Sequence, residues 1–360
     1  MGEISNIIAG GDKNINKIKK YGKYPVIANS INKNGIVGYY DNEYRVKAPA
    51  VTVTGRGEIG HAVARFQNFT PIVRLLALSS KLDPIFLANS INKIRFFNES
   101  TGVPQLTKPQ LSTYSIIIPS VEEQNNIGKL ILLVEKYIHL QQRKLRQLNF
   151  IRQGLTQNLF PDKDKIKPKV QFKGYKENWK ITKAKNIFTE VDIRELPDRV
   201  ILSTTQTGKV VTRSSLGRNL LFSKDKLKNY KLVLPGQFII HLRSFKGGFA
   251  TSELSGIVSP TYTIFDFKDR KQNDSNFRSI LFTHYNFIQS LKSITEGIRY
   301  NGVTIKFNQF ADLKITYPDL EIQSRLSQLI QCLDADIKKQ KLKIQKFKKV
   351  KQFLLQNMFT

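Results

Sequence analysis

The chain has 360 residues, 40% of them hydrophobic, which is enough for two or three domains with ordinary cores. Its 58 Lys and Arg residues outnumber its 28 Asp and Glu residues and give a net charge of +30. This excess predicts a polyanionic partner, and nucleic acid is favoured over an anionic membrane. The alternative is that the lysines only form solvated faces. A single cysteine, the lack of a membrane-spanning apolar run and the lack of a signal peptide predict a cytoplasmic protein without disulfides.

The first half contains two candidate DNA-contacting loops. The loop from Asn29 mixes amides and tyrosines with Lys33, and its candidate contacts are Asn29, Asn32 and Lys33. The second candidate is VTVTGRGEIGHAV, residues 51–63, which has the G-x-G-x-x-G spacing of a dinucleotide-binding loop. That motif needs a helix after the last glycine, whereas the residues that follow alternate with a period of two, which predicts a β-hairpin.

We interpret the predicted hairpin as a DNA-facing turn, since glycines allow close approach of the backbone and Arg56 can bind guanine or phosphate. A purely structural hairpin with a solvated arginine is the alternative. A nucleotide-dependent enzyme also stays open, and Gly57→Val would abolish its cofactor binding.

A repeat organises the whole chain. The segment from Pro119 to Phe160 aligns without a gap with the segment from Pro318 to Phe359, at a constant offset of 199 residues. Each copy predicts one long helix, and residues 123–159 alone would span about 55 Å. The sequence therefore predicts a duplication of a mixed α/β segment followed by a helix.

Both predicted helices carry a heptad seam whose polar exceptions match, since Gln141 aligns with Gln340 and Arg152 with Lys351. A parallel pair would stack the two basic residues, whereas an antiparallel pair separates them and keeps the glutamines near the middle. The sequence therefore predicts an antiparallel coiled coil, and the alternative is that each helix packs only on its own domain. The residues predicted to pair the helices are Ile131, Ile138, Gln141, Leu145, Leu148, Ile330, Ile337, Gln340, Ile344 and Phe347.

Some apolar helix residues lie outside this seam and are predicted to be covered by a partner, by the chain's own domains, or by both. They are Leu132, Leu133, Leu140 and Phe353. The second half adds weaker candidates for DNA contact, each of which could also be a plain surface loop residue. These are Arg213, Arg218, Arg243, Lys246, Arg299 and Tyr300.

In this organisation the chain resembles the specificity (S) subunits of type I restriction-modification enzymes. The most specific shared features are the segments IIPSVEEQ and ITYPDLEIQ before the helices and the endings QNLF and QNMF. The resemblance implies an α+β fold with two mixed α/β target recognition domains, residues 1–119 and 161–318. Two conserved helical regions, residues 120–160 and 319–360, would form the antiparallel coiled coil with pseudo-two-fold symmetry.

The resemblance also implies what the chain binds. Each recognition domain would read half of a bipartite site in double-stranded DNA, and the helical regions would dock two methyltransferase subunits, with two restriction subunits completing the enzyme. The S subunit would itself catalyse nothing and need no cofactor or metal. The alternative is a free-standing DNA-binding protein or antagonist, which would bind specific DNA tightly without methyltransferase partners.

The first copy departs from the second at its start. The second copy begins with PKVQFKGYKENW, residues 168–179, which we call the opening segment, before KAKNIFTEV. The first copy starts at MGEISNII, which aligns with KAKNIFTEV. The sequence therefore predicts that the first domain lacks an opening segment, which leaves its stability in question.

Overall fold

The computed structural model describes residues 1–97, 102–162, 165–175, 177–205, 208–217, 224–241, 248–291 and 305–359. Its strands, numbered along the chain, are β1 (Ser5–Ala9), β2 (Tyr24–Ile27), β3 (Ile36–Tyr40), β4 (Ala50–Thr54), β5 (Ala62–Arg65), β6 (Thr70–Pro71), β7 (Leu75–Ser80), β8 (Lys180–Lys183), β9 (Phe188–Val191), β10 (Leu202–Thr204), β11 (Val210–Thr212), β12 (Lys231–Val233), β13 (Phe238–Ile240), β14 (Phe249–Thr251), β15 (Gly256–Val258), β16 (Thr263–Phe267) and β17 (Lys314–Tyr317). Its helices are α1 (Pro84–Ile91), α2 (Lys108–Thr113), α3 (Val121–Leu159), α4 (Ala184–Ile187), α5 (Lys224–Lys228), α6 (Ser275–Thr283), α7 (Tyr285–Leu291), α8 (Phe307–Ala311) and α9 (Leu320–Asn357).

The chain divides into two compact units, and each contains part of both long helices. Unit 1 comprises Met1–Leu145 and Gln340–Thr360, and unit 2 comprises Arg146–Lys339. Unit 1 thus combines the first mixed segment with the beginning of α3 and the end of α9. Unit 2 combines the second mixed segment with the end of α3 and the beginning of α9.

The core of unit 1 lies on both faces of an antiparallel sheet with the strand order β1-β7-β4-β5. The central strand β4 is buried at all five residues, because each of its faces is covered. Val51 and Val53 pack in a cluster with α1 residues such as Leu87, while Ala50 packs with Phe69 on the other face. A second sheet, β3-β2-β6, places β6 parallel to β2.

Unit 2 repeats this topology. Its main sheet has the order β14-β13-β16-β9, which matches β5-β4-β7-β1 strand by strand, and every pairing in both sheets is antiparallel. A capping aspartate starts the helix that follows each sheet, with Asp83 before α1 and Asp274 before α6. The duplication predicted from the 199-residue offset is therefore confirmed in the fold of the two mixed segments.

The two long helices run antiparallel, as the matched polar residues predicted. In unit 1, the residue numbers of three contacts fall along α3 as they rise along α9. Gln141 Oε1 accepts from Gln340 Nε2 at 2.8 Å, and the ring centroids of Tyr137 and Phe347 lie 4.3 Å apart. Glu135 Oε1 lies 2.6 Å from Lys351 Nζ. In unit 2, Arg152 Nη2 donates to Asp334 Oδ2 at 3.0 Å. Each basic exception in the seam thus meets an acidic residue of the other helix.

The residues predicted to pair the helices are buried or half-buried. The buried ones are Ile131, Ile138, Ile330, Ile337, Gln340 and Ile344, and the half-buried ones are Gln141, Leu145, Leu148 and Phe347. Within unit 1, Gln340 Nε2 also donates to the main-chain oxygen of Gln141 at 3.0 Å. The polar layer therefore joins the helices through two hydrogen bonds from one buried amide.

We expect Gln141→Leu to lower the free energy of unfolding by about 1–3 kcal/mol, because the buried Gln340 amide loses its side-chain acceptor. The double change Gln141→Leu with Gln340→Leu should recover most of this loss, since an apolar layer leaves no unpaired amide. Urea unfolding of the four members of this cycle measures both effects. The matched control is Gln345→Leu at an exposed position of α9, which should change stability by less than about 0.5 kcal/mol. Equal losses in the single and double variants would contradict the assigned pairing.

Candidate nucleic-acid interface

Two turns of unit 1 are held together by one side chain. Asn29, which follows β2, accepts hydrogen bonds at Oδ1 from the main-chain N–H groups of Gly55 (2.7 Å) and Arg56 (3.3 Å). Its Nδ2 donates to the main-chain oxygen of Arg56 at 2.8 Å. The amide of Asn29 is thus hydrogen-bonded within the chain and fixes the main chain at Gly55 and Arg56.

The glycine-rich stretch is the predicted hairpin. β4 and β5 pair antiparallel, with Val53 opposite Ala62, and residues 55–61 connect them. Gly57 and Gly60 adopt φ values of 72° and 82°, which favour glycine, and a Cβ on Gly55 would lie 2.5 Å from the main-chain oxygen of Arg74. The glycines therefore serve the turn. Because a strand follows them where the dinucleotide motif requires a helix, the structure does not support the nucleotide-dependent alternative.

A small concave surface borders this hairpin. It is lined by Ser30, Ile31, Asn34, Thr52, Thr54, His61, Val63, Arg65 and Leu75. Arg65 Nε donates to Thr52 Oγ1 at 2.9 Å, and burial lowers the pKa of Arg65 to about 10, so the guanidinium stays protonated at neutral pH. Such a fixed, half-buried guanidinium offers its remaining N–H donors to a phosphate or a base edge.

Sequence reasoning missed Arg65 and His61, although a signal was present. With the period of two in β5, His61, Val63 and Arg65 share one face of the strand. The neighbouring strand β4 supplies Thr52 and Thr54 to the same surface. The period of two that predicted the hairpin also places His61 and Arg65 on one face, so the same pattern could have identified this surface.

The loop between β2 and β3 presents two further candidates. Lys33 and Asn34 adopt left-handed φ values of 48° and 55°, which are strained for a lysine and tolerated by an asparagine. The side chains of Asn32 and Lys33 are exposed, and Asn34 lines the concave surface. Strained residues of this kind are often found in binding loops.

Only Arg213 of the candidate DNA contacts in unit 2 lies in the described part of the chain. It begins a 3₁₀ turn, Arg213–Leu216, directly after β11, and its N–H donates to Ile201 O at 2.9 Å. Its side chain is half-buried. Arg218, Arg243, Lys246, Arg299 and Tyr300 lie outside the described residues.

The four apolar residues predicted to bind a partner differ in their surroundings. Leu132 is half-buried and packs on the unit's own cluster of Ile85, Phe86, Ile127 and Ile131, in line with the expectation that the chain's own domain covers part of this surface. It lies on the side of α3 that faces α1. The others are exposed, with relative accessibilities of 63% for Leu133, 56% for Leu140 and 63% for Phe353.

None of the described helices is long and apolar enough to cross a membrane. The described part of the chain also holds no group of three or more His, Cys, Asp or Glu side chains arranged to bind a metal ion.

Part of the chain is similar to a known family of domains. Residues 1–150 match the family model of the type I restriction modification DNA specificity domain. A Mycoplasma pneumoniae protein described as a type I specificity subunit is 30% identical over 127 residues, which cover 34% of this chain and 35% of that protein. The chain thus matches about a third of the length of this relative.

Longer matches extend beyond the specificity domain. The specificity subunit of the type I restriction enzyme MjaVIII of Methanocaldococcus jannaschii is 25% identical over 305 residues, 77% of this chain and 70% of that protein. A crystal structure of the S subunit of a type I restriction-modification system from M. genitalium covers 100% of this chain and 94% of its own, with a TM-score of 0.64 at 10% identity. The chain is thus similar over most of its length to type I specificity subunits, and the predicted fold class is confirmed.

Proposed function

We propose that the chain is the DNA-recognition subunit of a type I restriction-modification complex. Each unit binds one half of a bipartite site in double-stranded DNA, and the helices α3 and α9 set the length of the unread gap. The observation that carries this proposal is the duplicated sheet topology, with two equivalent units joined by one pair of antiparallel helices. Two equivalent readers on a shared support suit a target that is split into two short blocks.

The hairpin of unit 1 supplies the first half-site reader. Asn29 fixes the main chain at Gly55 and Arg56, which presents the Arg56 side chain from a defined turn. Arg65 adds a second fixed guanidinium on the neighbouring concave surface. Arginines held in this way can form bidentate hydrogen bonds to guanine, whereas the exposed Lys33 is suited to phosphate contact.

The net charge of +30 supports phosphate binding by the rest of the chain. Exposed lysines lie along the second half of α9, and these residues would contact the DNA backbone without reading its sequence. They are Lys338, Lys339, Lys341, Lys343, Lys346, Lys348 and Lys349. Binding should therefore weaken steeply as the salt concentration rises.

The exposed leucines of α3 and the exposed phenylalanine of α9 provide a docking surface for methyltransferase subunits. Leu133, Leu140 and Phe353 are each more than half exposed, which is unusual for large apolar residues on an otherwise charged helix pair. Two methyltransferase subunits, and two restriction subunits with them, would complete a cytoplasmic enzyme in which this chain has no catalytic role and holds no cofactor.

The test is to express the chain with a methyltransferase subunit and to sequence the methylome of the host. We expect one methylated motif made of two short specified blocks, separated by a gap of fixed length and free sequence. A continuous motif would contradict the proposal. Tight sequence-specific binding by the purified chain, with no methylation in the presence of the partner, would favour a free-standing DNA-binding protein instead.

A further inference from the structure

An open groove of about 790 Å³ lies on unit 1, beside α1 and between the start of α3 and the end of α9. Its apolar walls include Phe86 of α1, Ile127 of α3, and Met358 and Phe359 after the heptads of α9. Its rim carries the exposed carboxylates of Glu122 and Glu123, together with Lys93. A groove with this much apolar lining is suited to binding a polypeptide side chain.

The same place in unit 2 is filled by the chain itself. Trp179 packs on both Phe160 and Phe277, and its ring centroid lies 5.8 Å from each of theirs. It is the last residue of the aromatic stretch that begins at Phe172. Phe160 and Phe277 stack on each other at 5.7 Å. Trp179 is 3% exposed, so it forms part of the core of unit 2.

Unit 1 reproduces two of these three rings. Phe359 stands 199 residues after Phe160, and Phe86 occupies the third position after its capping aspartate, as Phe277 does. Phe86 and Phe359 stack at 5.5 Å, close to the spacing of the equivalent pair. Among the described residues of unit 1, the counterpart of Trp179 is absent, and the groove opens beside the remaining pair.

The two units also differ in whether the residues before the long helix pair with another strand. In unit 2 the opening segment ends at Trp179 and leads directly into β8, which pairs with β17 so that Thr182 lies opposite Ile315. The residues 199 positions earlier than β17, 115–118, form no strand in unit 1. Ile117 and Ile118 are 75% and 43% exposed. This edge is therefore open to a strand from another polypeptide.

We propose that the groove and residues 115–118 of unit 1 bind a segment of a partner polypeptide that resembles residues 168–183, the opening segment together with β8. This segment carries one large aromatic residue directly before a basic extended stretch. The aromatic ring inserts beside Phe86 and Phe359, and the extended stretch adds a strand along residues 115–118. The basic character matches the carboxylates of the rim, since residues 165–183 contain seven lysines and one glutamate. The proposal rests on the duplication and does not require that the chain binds DNA.

The probe is a fluorescently labelled peptide with the sequence of residues 165–183, added to the full chain. We expect saturable binding of one peptide per chain in a polarisation titration, confirmed by calorimetry. The same peptide with Trp179→Ala should bind at least about tenfold more weakly, because the aromatic anchor provides most of the buried surface. Hydrogen exchange at residues 115–118 should slow when the peptide is bound, since strand addition protects main-chain amides.

A matched pair of chain variants locates the binding. Leu130→Trp should block the peptide, because Leu130 lines the groove and is 39% exposed. Leu342→Trp, at an exposed position of α9 outside the groove lining, should bind as the unaltered chain does. Binding that survives Leu130→Trp, or that is indifferent to Trp179→Ala in the peptide, would overturn the proposal, as would the absence of saturable binding. The peptide variant leaves the chain unaltered, so this comparison holds even if Leu130→Trp disturbs folding.

Discussion

Asn29→Ala is expected to weaken binding of the target duplex by about tenfold or more and to lower the free energy of unfolding of unit 1 by about 1–3 kcal/mol. The variant removes three hydrogen bonds that tie the loop after β2 to the main chain of Gly55 and Arg56. Gly55 is buried, so its N–H would be left without its acceptor inside the protein. The Arg56 turn would then sample several conformations, and the fixed presentation of its guanidinium would be lost.

Two companion variants separate positioning from contact. Arg56→Ala should weaken binding of the target while leaving the unfolding curve within about 0.5 kcal/mol of that of the unaltered chain, because the side chain is the contacting group and is only half-buried. Asn32→Ala, at an exposed position of the same loop, should leave stability similarly unchanged. Titrations with the duplex identified by methylome sequencing, alongside urea unfolding, measure both quantities. If Arg56→Ala bound the target as tightly as the unaltered chain, the hairpin would not be a reader.

The helical part of the fold could be predicted from sequence because its determinants are local and repeated. The heptad seam depends on residues seven apart, and the matched exceptions Gln141 with Gln340 and Arg152 with Lys351 indicated the antiparallel direction. The structure added the acidic partners Glu135 and Asp334, which the heptad pattern did not identify. Asp334 lies on α9 opposite Arg152, and Glu135 lies on α3 opposite Lys351, so these ion pairs become apparent only when the two helices are paired.

The assignment of helix segments to the two units could not be predicted from local sequence patterns. The constant 199-residue offset suggests that each domain ends with its own helix, but each compact unit takes the beginning of one helix and the end of the other. This arrangement depends on contacts between residues far apart in the sequence, such as the stacking of Phe86 on Phe359. No periodicity in a short window carries such information.

The candidate site was predicted at the level of its loops and less well at the level of side chains. The sequence predicted that Asn29 and Arg56 both lie in turns, but the hydrogen bonds between them depend on the position of β2 relative to β4. Leu132 was grouped with exposed leucines because heptad positions do not show where α1 packs. The groove of unit 1 could not be predicted from sequence, because its lining combines α1 with the start of α3 and the end of α9, and its aromatic pair is recognised by comparison with Trp179 and its neighbours.

Paired helix insertions test most directly whether the length of α3 and α9 sets the gap between the two half-sites, as we propose. Seven residues would be inserted between Leu145 and Arg146 and seven between Lys339 and Gln340, at the boundaries of the two units. One heptad in each helix keeps both seams in register, whereas an insertion in α3 alone serves as the control that disrupts pairing.

Seven residues lengthen a helix by about 10 Å, which corresponds to about three base pairs, and the rotation of the DNA helix reduces the number that can be accommodated. In methylome sequencing of cells that carry the doubly inserted chain with its methyltransferase partner, we predict the same two blocks separated by a gap longer by about one to three base pairs. An unchanged gap in an active complex, or a change in the blocks themselves, would contradict the claim.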